Sequence, residues 1–140
     1  MRYTVDALAD YSREQRADYV VSAEARGFVL GGAVAAGCGA GFILARKPGK
    51  LPRETASVQY QLEYGLDALE VHSDAVRGGA RVMVHDDLLA TGGTAAALCD
   101  LVEKAGGVVA GCAFVIELSF LHGRERLRGR DVHSLVAYDA

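Results

Sequence analysis

The stretch VMVHDDLLATGGTAAA, from Val82 to Ala97, carries the pattern that decides the fold. A mostly apolar run ends at two adjacent aspartates, Asp86 and Asp87, and a turn of small residues leads into an alanine-rich segment. Gly92 and Gly93 allow the backbone to turn sharply and to approach a ligand closely. The stretch therefore predicts a buried strand that enters a helix through a ligand-binding loop.

A phosphate fits this loop, because a helix N-terminus presents free N–H groups and a partial positive charge. The hydroxyls of Thr91 and Thr94 add donors. Asp86 and Asp87 would repel a phosphate, but they can accept hydrogen bonds from the neighbouring hydroxyls of a ribose or hold a divalent cation through water. The residues predict a ribose 5-phosphate site. The plainer alternatives are a helix N-cap at Thr94 and a solvated strand end at the aspartates.

The composition narrows the class of protein. The chain has 140 residues, of which 51% are hydrophobic and 24% charged, with a net charge of −3. These values predict a single folded domain spanning residues 1–140, with no affinity for nucleic acid or membranes. With no secretory signal in the sequence and three cysteines that form no CxxC pair, we expect a cytoplasmic protein with reduced thiols. The histidines show no metal-ligand spacing such as HExxH, and neither a P-loop nor a GxGxxG motif is present.

Periodicity and turn residues predict alternating strands and helices, hence an α/β fold with a mostly parallel central sheet flanked by helices. Ligands bind such sheets beyond the carboxyl ends of the strands, where the opening stretch lies. Residues 46–61 show little periodicity and hold both prolines, which indicates an irregular, mobile segment. The predicted helices are Val5–Arg16, Phe28–Ala36 and Ala95–Ala105; the predicted strands are Tyr19–Ser22, Phe42–Ala45, Ala68–His72, Arg81–His85, Val108–Leu118 and an edge strand, Ser134–Tyr138.

The stretch Val82–Thr94 resembles the phosphoribosyl-diphosphate (PRPP) binding motif of type I phosphoribosyltransferases. Other stretches resemble adenine phosphoribosyltransferase, and the matches follow the family order from about Tyr19 onward. They are SAEARGF (Ser22–Phe28), ARKPGKLP (Ala45–Pro52), YQLEYG (Tyr60–Gly65) and FVIELSFLHGRERL (Phe114–Leu127). The resemblance implies the type I phosphoribosyltransferase fold and the reaction of adenine with PRPP to give AMP and diphosphate. It also implies Mg²⁺, a homodimer and a role in purine salvage.

The resemblance also implies roles for particular residues. Asp86 and Asp87 would bind the ribose, and one of them could contact Mg²⁺ held mainly by PRPP and water. Glu63 would be the general acid/base at the purine, Tyr64 would order its loop, and Leu88 would pack on the base. The 5-phosphate would bind Ala90, Thr91, Gly92, Gly93 and Thr94; the diphosphate would bind Arg26, Arg46, Lys47 and Lys50, with residues 46–61 closing as a mobile catalytic loop.

Each of these side chains also has an ordinary interpretation. Arg26 and Glu63 could be exposed loop residues, and the basic residues of the 46–61 segment could be a solvated loop. His85 stands where the family is usually apolar, so it is either a core histidine or a charge that influences Asp86.

Two alternative functions follow from the sequence. The chain could be another purine phosphoribosyltransferase, for hypoxanthine, guanine or xanthine, or a PRPP-binding regulator without catalysis. The family carries some tens of residues before its first helix, which form a hood over the base, whereas this sequence starts almost at that helix. We therefore expect a truncated start or a partly open base pocket.

Overall fold

Seven strands and three helices make up most of the chain in the computed structural model, which describes residues 1–62 and 64–140. The helices are α1 (Arg2–Glu14), α2 (Gly27–Cys38) and α3 (Gly93–Lys104). The strands are β1 (Tyr19–Ala23), β2 (Gly41–Ala45), β3 (Thr55–Leu62), β4 (Gly65–His72), β5 (Arg81–Leu89), β6 (Val108–Leu118) and β7 (Val132–Tyr138). Two short 3₁₀ turns, Ser119–Leu121 and Gly123–Leu127, join β6 to β7.

Five of the strands form a parallel sheet in the order β2-β1-β5-β6-β7. Strands β3 and β4 form a separate antiparallel hairpin, with Thr55 opposite His72 and Leu62 opposite Gly65. The predicted α/β fold with a parallel central sheet is confirmed, and β7 lies at a sheet edge as expected. Among the described residues, no helix has the length and apolar character needed to cross a membrane.

Alternation along the central strands builds two cores, one on each face of the sheet. Val82 and Val84 of β5 pack with the α3 side, in a cluster that includes Leu98 and Phe114. Met83 points to the opposite face and packs with Leu8 of α1 and other residues of α1 and α2. Successive side chains of a strand point to opposite faces, so one apolar strand supplies both cores.

Strand β5 is longer than the sequence predicted. Pairing with β6 continues from Arg81 opposite Val108 to Leu89 opposite Glu117. Asp86 and Asp87 therefore lie inside the strand, where the prediction ended it at His85. The polar residues remain in the ladder because β6 offers 11 residues of backbone to pair with. The backbone that carries the two carboxylates is therefore held in the sheet and is not part of a free loop.

The interpretation of residues 46–61 as irregular is wrong for their second half. Thr55–Leu62 forms β3, and Ala56, Val58 and Tyr60 pack against the core on the α3 side of the sheet. These apolar residues alternate with Ser57, Gln59 and Gln61, a period of two that the sequence contains. The alternation was missed because the basic residues and prolines before it dominate the segment. The mobility of residues 46–61 stays a prediction.

The helix starts also differ from those predicted. Helix α1 covers Arg2–Glu14, three residues earlier than predicted at its start, and α3 begins at Gly93. Gly92, with a φ of 87°, is the N-cap of α3, so the interpretation of Thr94 as the helix cap is wrong. The three cysteines, all within the described part of the chain, are unpaired thiols, and Cys99 and Cys112 are buried.

Helix α2 packs closely on the sheet because Gly31 has no side chain. A Cβ added at Gly31 would lie 2.5 Å from Ser22 Oγ and 2.7 Å from Phe42 Cε1. We therefore expect Gly31→Ala to lower the free energy of unfolding by about 1–3 kcal/mol through overpacking. Gly32→Ala is the matched control, since its Cβ would meet only Phe42 Cδ2, at 3.9 Å. It should be neutral or stabilising by up to about 1 kcal/mol. Urea unfolding of both variants tests the packing, and equal midpoints would contradict it.

Candidate active site

The carboxyl ends of β1 and β5 meet the N-terminal ends of α2 and α3 at one edge of the parallel sheet. Because neighbouring parallel strands run in the same direction, residues at their ends converge. A cleft of about 150 Å³ lies there. Its lining includes four residues predicted to bind substrate, Arg26, Lys47, Asp86 and Thr94, together with Ala23, Glu24, Ala25, Gly27, Tyr60 and Leu69.

The two aspartates have different environments. Asp86 Oδ1 accepts a hydrogen bond from the Asp87 backbone N–H at 2.9 Å. Burial and the neighbouring Asp87 carboxylate raise the pKa of Asp86 to about 7. Burial would also raise the pKa of Asp87, but hydrogen bonds from Asp86 and Arg26 outweigh it and lower that pKa below its usual value. The Asp86 carboxyl is therefore about half protonated at neutral pH, whereas Asp87 stays ionised.

Arg26 forms an ion pair with Asp87 across the mouth of the site. Its Nε donates to Asp87 Oδ2 at 2.9 Å, which raises the pKa of the guanidinium. The other oxygen, Asp87 Oδ1, is buried and has no hydrogen-bond partner among the described residues. A buried carboxylate oxygen without a donor is costly, so it marks a position where a ligand hydroxyl or cation would be stabilised.

The predicted phosphate loop, Ala90–Thr94, links β5 to α3. Gly92 adopts a left-handed conformation, and a Cβ at this position would lie 2.5 Å from Gly123 O. Only glycine satisfies both constraints. The helix then starts at Gly93, so its first N–H groups, which have no intrahelical acceptor, lie at the loop. Thr91 is exposed, and Thr94 is half-buried and lines the cleft.

Arg126 is a cation near this loop that the sequence reasoning missed. Its Nη1 lies 3.5 Å from the position that a Cβ on Gly93 would take. The residue belongs to the second 3₁₀ turn, more than thirty residues further along the chain. Its sequence signal was the GRERL part of the Phe114–Leu127 match, to which no role was given.

The basic residues predicted to bind diphosphate are held by carboxylates. Glu24 pairs with Lys50, whose Nζ donates to Oε2 at 2.8 Å, and with Arg46, whose Nε lies 3.4 Å from Oε1. Lys47 pairs with Asp67 of β4. The hydrogen bond from Lys50 is the largest cause of the lowered pKa of Glu24. Glu24 and Asp67 line or flank the cleft without having been predicted: Glu24 lies in the SAEARGF match, where only Arg26 was given a role, and Asp67 lies outside the matched stretches.

The start of the predicted mobile loop is fixed to the hairpin. Arg46 and Glu70 exchange both backbone hydrogen bonds, at 2.9 and 2.8 Å, as an isolated antiparallel bridge. The Lys47 backbone N–H also donates to Glu24 Oε1 at 2.7 Å. These bonds fix residues 46–47 relative to β1 and β4, and Lys47 lines the cleft.

Of the residues predicted to act at the base, the structure describes two, Tyr64 and Leu88. Glu63, predicted as the general acid/base, lies outside the described residues. Tyr64 lies in the β3–β4 turn with 96% of its surface exposed. Leu88 is half-buried in β5, one residue after the aspartates. Among the described residues, neither Tyr64 nor Leu88 lines the cleft.

His85 is fully buried, as a core histidine would be, and directly precedes the aspartates in β5. Its Nδ1 lies 3.0 Å from Ala113 O, and because a carbonyl only accepts, Nδ1 carries the proton. Burial lowers the pKa of the imidazole, which is therefore neutral near pH 7. A neutral ring adds no positive charge near Asp86, so the core interpretation is the one that the geometry supports.

Comparisons with known proteins found relatives of the chain. No protein-family model matches it. The adenine phosphoribosyltransferase of Rubrobacter xylanophilus is 64% identical over 135 residues, 96% of this chain and 73% of that protein. The crystal structure of the Thermoanaerobacter pseudethanolicus adenine phosphoribosyltransferase superposes with a TM-score of 0.94 at 49% identity, covering 98% of this chain and 80% of the other.

A third relative was solved with ligands. The Saccharomyces cerevisiae adenine phosphoribosyltransferase, complexed with an imino-altritol bisphosphate and adenine, has a TM-score of 0.88 and 40% identity, over 94% of this chain and 76% of the other. Sequence identity, coverage and fold agree, and from them it follows that this chain belongs to the adenine phosphoribosyltransferase family.

Proposed function

We propose that the cleft transfers the phosphoribosyl group of PRPP to adenine, giving AMP and diphosphate in purine salvage. The observation that carries the proposal is the joint arrangement of Asp86 and Asp87 with the Ala90–Thr94 loop at the end of β5. Carboxylates suit the ribose hydroxyls, and a glycine turn at a helix N-terminus suits the 5-phosphate. Arg126 adds a cation near the same phosphate.

The diphosphate end of PRPP would bind cations that otherwise pair with carboxylates of the protein. Arg26, Lys47 and Lys50 each pair with a carboxylate of the protein. A diphosphate group carries more negative charge than any one of these carboxylates and offers several acceptor oxygens to an arginine or lysine. We infer that it binds by taking these cations from Asp87, Asp67 and Glu24, and that Arg46 joins them.

The residues also fit Mg²⁺. Among the described residues, no group of three or more His, Cys, Asp or Glu side chains could hold a metal alone. Mg²⁺ usually keeps several waters and binds through one or two carboxylates plus substrate phosphates. The unpartnered Asp87 Oδ1 and the adjacent Asp86 supply such carboxylates. When bound, Mg²⁺ would neutralise charge on the departing diphosphate.

Catalysis by this chain would rest on positioning and on exclusion of water. Asp86, Asp87 and the phosphate loop fix the sugar, so that C1 faces the incoming base. Glu63 would manage the proton on the purine ring and favour positive charge on the sugar, Leu88 would pack on the base, and Tyr64 would order the loop around Glu63. Closure of residues 46–61 would keep water from the oxocarbenium-like sugar. We further propose a cytoplasmic homodimer, as the family resemblance implies.

The reaction itself tests the proposal. The full chain with PRPP, Mg²⁺ and adenine should form AMP and diphosphate, measured by chromatography. Hypoxanthine, guanine and xanthine should give much lower rates. Turnover of guanine or xanthine without adenine would overturn the proposed base, and PRPP binding without any nucleotide formation would support a regulatory protein.

Asp87→Asn tests the ribose assignment. The amide keeps the shape but removes the charge that accepts hydrogen bonds from hydroxyls, and we expect PRPP binding to weaken by about 10- to 100-fold. Asp10→Asn is the matched control, since Asp10 also pairs with an arginine, Arg13, at 2.8 Å on the exposed face of α1. Calorimetry with PRPP measures both. An unchanged affinity for the Asp87 variant would remove the role.

Asp86→Asn tests whether ionisation of Asp86 beside Asp87 lowers the stability of the fold. A pKa raised to about 7 means that the folded state holds a proton which the unfolded state has lost above about pH 4. Stability therefore falls as pH rises from about 4 to about 7. At pH 8 the variant should be more stable than the wild type by at least about 1 kcal/mol, and the difference should shrink at pH 5.

Urea unfolding at pH 5 and pH 8 measures this difference. Asp6→Asn, at an exposed position of α1, controls for the loss of one formal charge. If the Asp86 variant is destabilised equally at both pH values, the carboxylates do not repel each other in the ligand-free fold.

A further inference from the structure

The second 3₁₀ turn, Gly123–Leu127, packs against the predicted phosphate loop, and we call this turn the brace. Gly123 is buried, and a Cβ added to it would lie 2.5 Å from Ala90 O and 2.9 Å from Leu89 Cδ1. From the other side, a Cβ on Gly92 would lie 2.5 Å from Gly123 O. Two glycines from distant parts of the chain thus allow direct contact between the backbones of the brace and the loop.

The buried carboxylate of Glu117 holds Arg124, the residue that follows Gly123 in the brace. Glu117, with 5% of its surface exposed, binds the Arg124 guanidinium twice, from Nε to Oε1 at 2.7 Å and from Nη2 to Oε2 at 2.9 Å. Ser134 Oγ of β7 also donates to Oε2, at 2.6 Å. Arg124 Nη1 donates to Val132 O at 3.1 Å. A bidentate pair fixes orientation as well as distance.

The far end of the brace is fixed by burial. Leu127 has 1% of its surface exposed and belongs to the core on the α3 side of the sheet. The brace therefore has two attachments, the ion pair of the half-exposed Arg124 with the buried Glu117 carboxylate and an apolar anchor at Leu127. Between them, Arg126 extends toward Gly93.

The brace and the loop are both positioned by the paired strands β5 and β6. Glu117 of β6 is the residue paired with Leu89 of β5, and Leu89 directly precedes Ala90 of the loop. The carboxylate that holds Arg124 is therefore fixed in register with the start of the loop. A shift of Arg124 would move Gly123, and Gly123 lies in contact with Ala90 and Gly92.

We propose that Glu117 and Arg124 are positioning residues which, through Gly123, set the conformation of the loop that binds the 5-phosphate of the substrate. The inference rests on the proposed function in that it takes Ala90–Thr94 as the phosphate site. It assigns a role to the Phe114–Leu127 segment, which has no contact with the base or the diphosphate in the proposed reaction.

Three variants test the brace, with ribose 5-phosphate as the probe because its binding does not depend on adenine. Arg124→Ala removes the ion pair, Glu117→Gln removes its charge, and Gly123→Ala keeps the pair but pushes on Ala90. Each should weaken ribose 5-phosphate binding in calorimetry by at least about tenfold, since the loop N–H groups lose alignment. In AMP formation the KM for PRPP should rise, while the KM for adenine stays within about twofold.

Arg13→Ala is the matched control for Arg124. Arg13 also binds one carboxylate, Asp10 at 2.8 Å, and one carbonyl, Gly37 O at 2.6 Å, but away from the loop. Gly78→Ala is the control for Gly123, because a Cβ there meets nothing within 4 Å. Both controls should bind ribose 5-phosphate like the wild type. Arg124→Lys keeps one hydrogen bond and should recover part of the lost affinity.

The possible outcomes can be told apart. Variants that lose thermal stability but keep wild-type affinity for ribose 5-phosphate show a purely structural role and overturn the proposal. If Arg124→Ala does not fold, Gly123→Ala decides by the same criterion. A wild type that binds ribose 5-phosphate but forms no AMP refutes the proposed function and leaves the brace to be judged by binding alone. A wild type that does not bind the probe overturns both.

Discussion

Parallel pairing of β5 with β1 and β6 is the constraint on which the site depends. It brings the carboxyl end of β1, with Glu24 and Arg26 after it, beside the aspartates of β5. It also aligns Glu117 of β6 with Leu89. Loops with no sequence proximity thus meet because their strands are hydrogen-bonded in register. The register is set by the apolar residues of β5, which must fill a core on each face of the sheet.

Charge is balanced inside the site. The raised pKa of Asp86 favours its protonated form, Arg26 neutralises Asp87, and Glu24 and Asp67 hold the basic residues that follow β2. An unbalanced cluster of carboxylates and cations in a narrow cleft would cost stability. In the proposed function, binding would then be an exchange, in which a phosphorylated sugar replaces some partners of each charge. Such an exchange would favour ligands that carry both hydroxyls and phosphates.

Much of this arrangement could be predicted from local sequence. The apolar runs gave the strands β1, β2, β5 and β6, and the aspartates with the glycine turn gave the phosphate loop, because these signals lie within one element or one junction. The β3 strand was missed although Ala56, Val58 and Tyr60 alternate with polar residues, since its basic and proline-containing flank suggested a loop. Partners from distant positions, such as Glu24, Asp67 and Arg126, were missed because side-chain proximity across elements leaves no local pattern.

The glycines at 92 and 123 show why a short motif needs the rest of the chain. Gly92 has a φ of 87°, which by itself explains a glycine there. Gly123 has no such φ, yet a Cβ would lie 2.5 Å from Ala90 O. Its small size is required by the contact and not by its own conformation. The loop proposed to bind phosphate is therefore not an independent module. Its backbone is in contact with a second backbone segment, and that segment is held by the ion pair of Arg124 with the buried Glu117 carboxylate of β6.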